Sequence, residues 1–216
     1  MSDVDIVVLK DVSQAVKYYN DSQYIAGVKC LGRLSSYYNN QTMPTHYKEM
    51  LKSGIGAGVF VYNLKKMRED NIIAKFLEFM KNHYQIIIQP EQDIINIVCN
   101  GKIGYIPITY SMCTYMYNLY RSNHSGLSGV NGYYFNYWFK GYLHSLNDAH
   151  YKPSELKEAF TDPVITHYAT KWKPWNTFCS KQQFIWLIYL YKTPFFYDFW
   201  KSLLIKLWKI ISLQRS

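Results

Sequence analysis

Two aspartates open the sequence at a spacing that would let their carboxylates share a cation. Asp3 and Asp5 flank a single valine, and apolar residues 6–9 follow them. In an extended chain, residues i and i+2 point to the same side. Two carboxylates there would form an oxygen site for Mg²⁺ or Mn²⁺, which also bridge phosphates. The same pair occurs often by chance on solvated turns, so D-x-D taken alone favours a solvated turn over a metal site.

A second group of candidate residues lies in the segment HYATKWKPW, residues 167–175. His167 follows a short apolar run, and its imidazole suits Mn²⁺ better than Mg²⁺. Lys173 stands before a Pro-Trp turn and could neutralise a phosphate as a point charge. Taken singly, each residue is better explained as structural, a packed histidine and a lysine with a solvated head.

Strands and helices must hold these residues in place. Apolar runs rich in β-branched residues predict strands, and a 3.6-residue apolar period predicts helices. The predicted strands are 5–9, 24–30, 59–62, 102–110 and 163–168, with the first one buried. A short helical turn over 11–19 and helices from residue 70, over 90–101 and over 153–160 lie among them. Strands alternating with helices predict an α/β fold with a partly parallel sheet.

Residue types at the helix ends refine this assignment. Asn63 and Ser154 are predicted as N-caps. Pro90 suits the first turn of its helix and Gly101 suits the stop. In the helix from residue 70, the predicted buried face is Ile72, Ile73, Phe76, Leu77 and Met80. We assign no structure to residues 121–150.

The composition narrows the classes of partner. The chain has 216 residues, 49% of them hydrophobic, and a net charge of +9. The hydrophobic content supports a folded core, and the charge allows nucleic acid, a membrane surface or anionic substrates as partners. No nucleic-acid-binding motif accompanies the charge, so we predict no nucleic-acid partner. The cysteines, Cys30, Cys99, Cys113 and Cys179, form no C-x-x-C and are interpreted as free thiols in a reducing cytosol.

The end of the chain has the pattern of an amphipathic helix. Within 199–214 one helical face carries Trp200, Leu203, Leu204, Leu207, Trp208 and Ile211, and lysines lie on the other. Such a helix suits an anionic membrane surface, but packing against its own domain explains the periodicity equally well. Residues 184–191 form an apolar run that is too short to span a bilayer, and we interpret it as buried or interfacial.

In their order along the chain, these stretches resemble the family-8 retaining glycosyltransferases. The resemblance is carried by DVDIVVLKDVSQ, YIAGVKC, GAGVFVYNLKKMREDNI, PEQDIINIV, PVITHYATKWKPW and KTPFFYDFW. They are similar to the family's D-x-D strand, its next strand, its glycine-rich strand with N-L-K-K, its D-Q-D helix start, its H-x-x-G-x-x-K-P-W motif and the aromatic stretch beyond.

The resemblance implies a GT-A-type, Rossmann-like fold for nucleotide-diphospho-sugar transfer. It implies that residues 1–180 are the carboxy-terminal two-thirds of such a domain, without its N-terminal nucleotide-binding portion, and that 181–216 form an aromatic and basic tail. Without that portion, the first strand would have an unpaired edge. We expect a cytoplasmic protein, with the tail as a means of attachment to the inner face of the plasma membrane.

The resemblance also implies roles for individual residues. The expected activity is transfer of a hexose from a UDP-sugar to a saccharide or lipopolysaccharide acceptor, with retention at the anomeric carbon. The implied ligands of Mn²⁺, or of Mg²⁺, are Asp3, Asp5 and His167. The implied catalytic residues are Glu91 and Gln92, and the implied substrate-binding residues are Lys173, Gly58 and Asp93. Tyrosines and tryptophans within 110–145 could stack on acceptor sugars or belong to the core.

Four positions depart from the family pattern and keep a second hypothesis open. Glu91 replaces the first Asp of D-Q-D, Gly56 replaces an Asn, Cys30 replaces an acidic residue, and Thr170 replaces the glycine of the histidine motif. The metal ligands and Lys173 fit the pattern, whereas sugar recognition is altered. The alternative is therefore a non-catalytic remnant of such an enzyme that binds membrane but turns over little or no substrate.

Overall fold

The chain forms two compact units, Met1–Ala169 and Thr170–Ser216. The computed structural model describes residues 2–30, 37, 39–113, 150–169, 173–175 and 181–213. The predicted division of the chain at residue 180 stays a prediction.

The first unit alternates strands and helices, as predicted. Its strands are β1 Ile6–Val8, β2 Ile25–Lys29, β3 Ile55–Tyr62, β4 Ile103–Ile106, β5 Met112–Cys113 and β6 Ile165–His167. Its α-helices are α1 Thr45–Lys52, α2 Leu64–Glu69, α3 Ile72–His83, α4 Pro90–Val98 and α5 Pro153–Thr161. Short 3-10 helices cover Ser13–Tyr18, Tyr84–Ile86 and Ile108–Ser111.

The strands form two three-stranded sheets. One has the order β1-β6-β5, in which β6 pairs antiparallel with β1 and parallel with β5. The other has the order β3-β2-β4, in which β2 pairs antiparallel with β3 and parallel with β4. A single antiparallel bridge from Ser2 to Val59 connects the start of the chain to β3. The prediction of an α/β fold with partly parallel pairing is confirmed.

The core lies against β2 and β3. Ile25, Ala26 and Ile55 have no exposed surface, and Ile72 at the start of α3 is 1% exposed. Side chains buried in this way exclude water from both faces of β2, which explains why its residues form a near-continuous apolar run.

The opening strand differs from the prediction in two respects. Only Val7 of β1 is buried, and Val8 is exposed, because β1 is an outer strand of its sheet. In addition, Asp3 and Asp5 come before the strand, in a bend between the Ser2 bridge and Ile6. Strand pairing therefore fixes the chain on both sides of the D-x-D pair, at Ser2 before it and at Ile6 after it.

The predicted buried face of α3 is partly wrong. Ile72 and Phe79 are buried and Phe76 is half-buried, whereas Ile73, Leu77 and Met80 are exposed. The buried residues recur at i, i+4 and i+7, which is one helical stripe. The exposed residues form a second stripe one position further on, and periodicity alone cannot separate two adjacent apolar stripes.

The predicted helix ends are confirmed in three cases and wrong in one. The Asn63 side chain accepts a hydrogen bond from the Lys66 amide at 3.1 Å, Pro90 begins α4, and Gly101 has a positive φ of 77°. Ser154, in contrast, lies inside α5. Lys152 precedes the helix, and its amide donates to Glu155 Oε2 at 2.7 Å.

The strand predicted over 102–110 is shorter than expected. It ends at Ile106, because Pro107 has no amide proton to continue a ladder. The 3-10 helix Ile108–Ser111 follows, and β5 begins at Met112.

The second unit contains two helices, α6 Lys181–Tyr191 and α7 Phe196–Leu213. In α6, Phe184, Ile188 and Tyr191 are exposed, so these residues are not buried. In α7, Leu204 and Trp208 are 63% and 71% exposed. Within the described part of the chain, no helix is both long and apolar enough to cross a membrane.

Several sequence predictions lie outside the described residues. They concern the aromatic segment within 114–149, Thr170, Cys179, and the side chains of Lys206, Leu207, Lys209 and Ile211 in α7.

Candidate metal and donor-sugar site

The backbone around the D-x-D pair is fixed by hydrogen bonds to two strands. The Asp3 amide donates to the carbonyl of Gly58 in β3 at 3.0 Å. The Tyr168 amide, just after β6, donates to the Asp5 carbonyl at 2.8 Å. Next along the chain, Ile6 pairs with His167 in the ladder between β1 and β6. Residues from the two ends of the first unit therefore meet at one place.

The side chains of Asp3, Asp5 and His167 converge there. His167 Nε2 lies 3.3 Å from Asp3 Oδ2 and 3.4 Å from Asp5 Oδ1. One ligand atom from each residue lies within 4.8 Å of the other two. The His167 and Asp5 side chains are 8% and 13% exposed, and that of Asp3 is 40% exposed. The cluster is thus open to solvent on the Asp3 side.

This donor set fits a divalent cation. Two carboxylate oxygens and one imidazole nitrogen are ligands that Mn²⁺ accepts, and the two negative charges match the charge of the ion. Ligand atoms at right angles around an ion with bonds of about 2.1 Å lie about 3 Å apart. The distances of 3.3 Å and 3.4 Å from Nε2 are close to that spacing.

Gly58 leaves the space that the imidazole occupies. A Cβ atom at this position would lie 2.4 Å from both Cε1 and Nδ1 of His167. A contact that short forces the ring to move. Gly58 was predicted as a substrate-binding residue. In the structure, the missing side chain of Gly58 makes room for the His167 ring, and a contact with substrate stays a prediction.

The first turn of α4 carries the residues predicted to face the donor sugar. Gln92 is half-buried, and its Oε1 accepts a hydrogen bond from the Ala57 amide at 3.2 Å. Its Nε2 donates to Cys30 Sγ at 3.7 Å. Burial raises the pKa of the Cys30 thiol to about 12, so the sulfur keeps its proton at neutral pH. Gln92 therefore lies beside β3, one residue from Gly58.

Glu91 and Asp93, the neighbours of Gln92, have opposite environments. Glu91 is exposed. Asp93 is fully buried and accepts hydrogen bonds from the Tyr37 hydroxyl and from the amides of Ile88 and Gln89, the last two at 2.7 and 2.8 Å. Burial and the nearby Asp93 charge raise the pKa of Tyr37, which therefore stays a donor. Asp93 thus closes the loop before α4, and these contacts show a structural role.

Asn96 attaches α4 to β3. Its Oδ1 accepts from the Ile55 amide at 2.7 Å, and its Nδ2 donates to the carbonyls of Ile55 and Gln92, both at 2.8 Å. An asparagine that satisfies both strand groups of one residue replaces a neighbouring strand at that point. The helix that carries Gln92 is therefore held in register with the strand that carries Gly58.

The structure brings together part of the predicted set. Asp3, Asp5, His167 and Gly58 are in contact, and Gln92 is joined to the residue beside Gly58. Lys173 belongs to the second unit, where it is half-buried.

Sequence reasoning assigned no site role to Ser111, Cys113 and Asn96. They lie between 41 and 56 residues from their partners, which are Ile55 for Asn96 and His167 for Ser111 and Cys113, and none of them forms a local motif with those partners.

Comparison with known proteins identifies the family. The family model for Glycosyl transferase family 8 matches residues 1–179. A Haemophilus influenzae protein named "Putative glycosyltransferase" is 35% identical over 54 residues, which are 25% of this chain and 16% of that protein. The chain thus spans less than one-fifth of the length of this relative.

Three solved structures share the fold. The bifunctional glycosyltransferase WbbM has a TM-score of 0.64 at 19% identity, with 91% of this chain and 33% of that chain covered. GlyE of Streptococcus pneumoniae TIGR4 has a TM-score of 0.52 at 18% identity, with 86% and 37% covered. An active-site mutant of LgtC has a TM-score of 0.52 at 18% identity, with 85% and 58% covered.

These likenesses confirm the predicted GT-A-type fold. Enzymes of glycosyl transferase family 8 generally use a divalent metal, and the cluster of Asp3, Asp5 and His167 is compatible with that use. The family match covers most of the sequence, including the D-x-D pair, the D-Q-D-like helix start and the histidine motif. The chain therefore belongs to glycosyl transferase family 8.

Proposed function

We propose that this chain takes part in transfer of a hexose from a UDP-sugar to a saccharide or lipopolysaccharide acceptor, with retention at the anomeric carbon. The observation that carries the proposal is the convergence of Asp3, Asp5 and His167. In support, the proteins that share this fold include the bifunctional glycosyltransferase WbbM and the glycosyltransferase GlyE.

In this proposal Asp3, Asp5 and His167 hold Mn²⁺, or Mg²⁺, next to the donor diphosphate. A divalent cation there would offset the charge that develops on the diphosphate when it leaves. The bond between the anomeric carbon and the diphosphate oxygen breaks, and its electron pair stays on the diphosphate. The acceptor hydroxyl oxygen forms the new bond to that carbon and loses its proton.

The residues at the start of α4 are proposed to face the donor sugar. Positive charge that develops at the anomeric carbon is stabilised by nearby oxygen atoms, and Glu91 and the Gln92 amide would supply them. Asp93 would act by holding the loop before Glu91 in place, since its carboxylate already accepts three hydrogen bonds. Lys173 is proposed as a diphosphate contact on the basis of its motif alone.

Titration calorimetry with UDP in the presence and absence of Mn²⁺ tests this proposal. We expect UDP binding that requires Mn²⁺ and is lost in Asp5→Asn and in His167→Ala. The matched control is Asp21→Asn, which removes one exposed carboxylate without touching the cluster. Absence of metal-dependent UDP binding by the unaltered chain would refute the proposal.

A non-catalytic relative of such enzymes is the second candidate. It is favoured by Cys30, which gives Gln92 a protonated thiol as its neighbour where the family pattern has an acidic residue. Release of UDP from UDP-glucose or UDP-galactose separates the two candidates. Metal-dependent UDP binding without UDP release from either donor would favour the non-catalytic one.

We also propose that α7 attaches the protein to an anionic membrane surface. Leu204 and Trp208 are exposed apolar side chains, and Lys201 is an exposed cation of the same helix. This combination suits an interfacial helix. Sedimentation with anionic vesicles should be lost when residues 199–216 are deleted, and it should be weak with neutral vesicles. Equal sedimentation of the deleted chain would contradict this attachment.

A further inference from the structure

The imidazole of His167 has polar partners on both of its sides. Its Nε2 faces the two carboxylates, and its Nδ1 lies 3.3 Å from Ser111 Oγ and 3.4 Å from Cys113 Sγ. Ser111 is 4% exposed, His167 is 6% exposed and Cys113 is 7% exposed. The hydroxyl and thiol groups therefore interact with Nδ1 in a place where little water can replace them.

Strand register creates this arrangement. His167 lies on β6, the middle strand of its sheet, and pairs with Ile6 of β1 on one side and with Cys113 of β5 on the other. The acids come from the chain that leads into β1, and Ser111 ends the 3-10 helix that leads into β5. The imidazole is therefore held between two segments that supply different chemistry.

A histidine that binds a cation through Nε2 needs its proton on Nδ1, because a neutral imidazole carries one proton and one lone pair. That proton needs an acceptor, which in metal sites is usually a carboxylate, a backbone carbonyl or water. Ser111 Oγ and Cys113 Sγ can both accept it. The Ser111 hydroxyl can at the same time donate a hydrogen bond to Cys113 Sγ, which lies 4.0 Å from Ser111 Oγ.

We propose that Ser111 and Cys113 are positioning residues that keep the His167 proton on Nδ1 and thereby direct the Nε2 lone pair towards the cation. This inference rests on the proposed function, because the cation belongs to that proposal. Neither partner is a carboxylate, so the carboxylate charge at the site comes from Asp3 and Asp5. Removal of the pair should lower cation affinity without removing a ligand.

The first measurement is the affinity for Mn²⁺. It is determined by titration, with the electron paramagnetic resonance signal of the free ion as the readout. The variants are Ser111→Ala, Cys113→Ala, the double variant, and Cys113→Ser as the conservative rescue. We expect the double variant to bind Mn²⁺ about 10–100-fold more weakly. Cys113→Ser should stay close to the unaltered chain, because a hydroxyl also accepts the Nδ1 proton.

Thr166→Val is the matched control. Thr166 is the residue before His167, is fully buried, and its hydroxyl has no hydrogen-bond partner among the described residues. Its replacement changes a polar group next to the histidine without touching Nδ1. The affinity for Mn²⁺ should not change in this variant.

A second measurement reports the tautomer itself. Nitrogen chemical shifts of labelled histidine, recorded with saturating diamagnetic Mg²⁺, should place the His167 proton on Nδ1. At the Mg²⁺ concentration that just saturates the unaltered chain, this signature should weaken in the double variant, because the Nδ1 proton then has neither the hydroxyl nor the thiol to accept it and the cation is bound less tightly. Should the double variant fail to fold, the two single alanine variants carry the same test, each with a smaller effect.

The outcomes separate this inference from the proposed function. If the unaltered chain binds neither Mn²⁺ nor Mg²⁺, the proposed cation site is wrong and the inference falls with it. If it binds Mn²⁺ and the variants bind equally well with an unchanged tautomer, only the role of Ser111 and Cys113 is overturned.

Discussion

The candidate metal end, formed by Asp3, Asp5 and His167, and the proposed sugar end, formed by Glu91, Gln92 and Asp93, are built in different ways. At the metal end, Asp3, Asp5 and His167 come from distant parts of the chain, and ladder pairing between β1 and β6 brings them together. At the proposed sugar end, three consecutive residues lie in the first turn of one helix. Glu91 is exposed, Gln92 accepts a hydrogen bond from the Ala57 amide, and Asp93 is buried.

This difference shows that proximity in sequence and similarity of role are separate matters. Residues far apart can form one cluster when strand register fixes them. Neighbours in a helix point about 100° apart, so consecutive residues of a motif meet different surroundings. A substitution at the metal end should therefore affect cation binding, whereas substitutions at the sugar end should affect different properties of the protein.

Asp93 provides the largest expected effect. Asp93→Ala leaves the Tyr37 hydroxyl and two amides without their acceptor, and an unsatisfied buried donor costs about 1–3 kcal/mol. We expect the free energy of unfolding to fall by about 3–5 kcal/mol, measured by urea denaturation. Glu91→Ala should change the free energy of unfolding by less than about 0.5 kcal/mol, because the Glu91 side chain is exposed. Similar losses for both variants would contradict the division of roles within this helix start.

Gly58 provides the next effect, at the metal end. Gly58→Ala places a methyl group where the His167 ring lies, so we expect Mn²⁺ affinity to fall on the order of 100-fold. Gly56→Ala is the matched control, because a Cβ there would meet its nearest atoms at 3.9 Å. Spectroscopic titration with Mn²⁺ measures both variants. Retention of full affinity in Gly58→Ala would show that the ring has room to shift.

Cys30 provides the smallest effect, through alkaline pH. Its pKa is raised from 9.0 to about 12 in the folded chain, so its stabilising contribution is complete below pH 9 and is lost as the pH rises towards 12. Between those values the unfolded chain releases a proton that the folded chain keeps, and stability falls by about 1.4 kcal/mol per pH unit from this thiol. Cys30→Ala should show a correspondingly shallower decline in urea denaturation between pH 9.5 and pH 10.5 under reducing conditions. Identical slopes would show that the Cys30 thiol is not protected from ionisation.

Much of the fold was predictable because local patterns determine it. The apolar runs predicted as strands at 24–30 and 59–62 lie in β2 and β3, although β3 begins earlier than predicted, at Ile55. The proline and glycine around α4 define its ends. The pattern at Ser154 resembles an N-cap, but Pro153 already begins the helix and Ser154 lies inside it. The apolar pattern of α3 predicts one buried face where the helix has a buried and an exposed apolar stripe, because two neighbouring stripes share one period.

The candidate site was predictable only in part. Asp3, Asp5, His167 and Gly58 belong to motifs, so their residue types and order identify them. The contacts of His167 with Ser111 and Cys113 depend on the register between β5 and β6. The Asn96 contacts likewise depend on how α4 lies against β3. Such long-range registers leave no local trace in the sequence.

Strand β3 contacts both ends of the candidate site through two consecutive residues. Ala57 holds the glutamine of one end through its amide, and Gly58, the next residue, holds the first aspartate of the other end through its carbonyl. One peptide unit of about 3.8 Å therefore sets the offset between the two halves. Insertion of a single residue between these positions would shift one half relative to the other, although it would not change the type of any residue in the site.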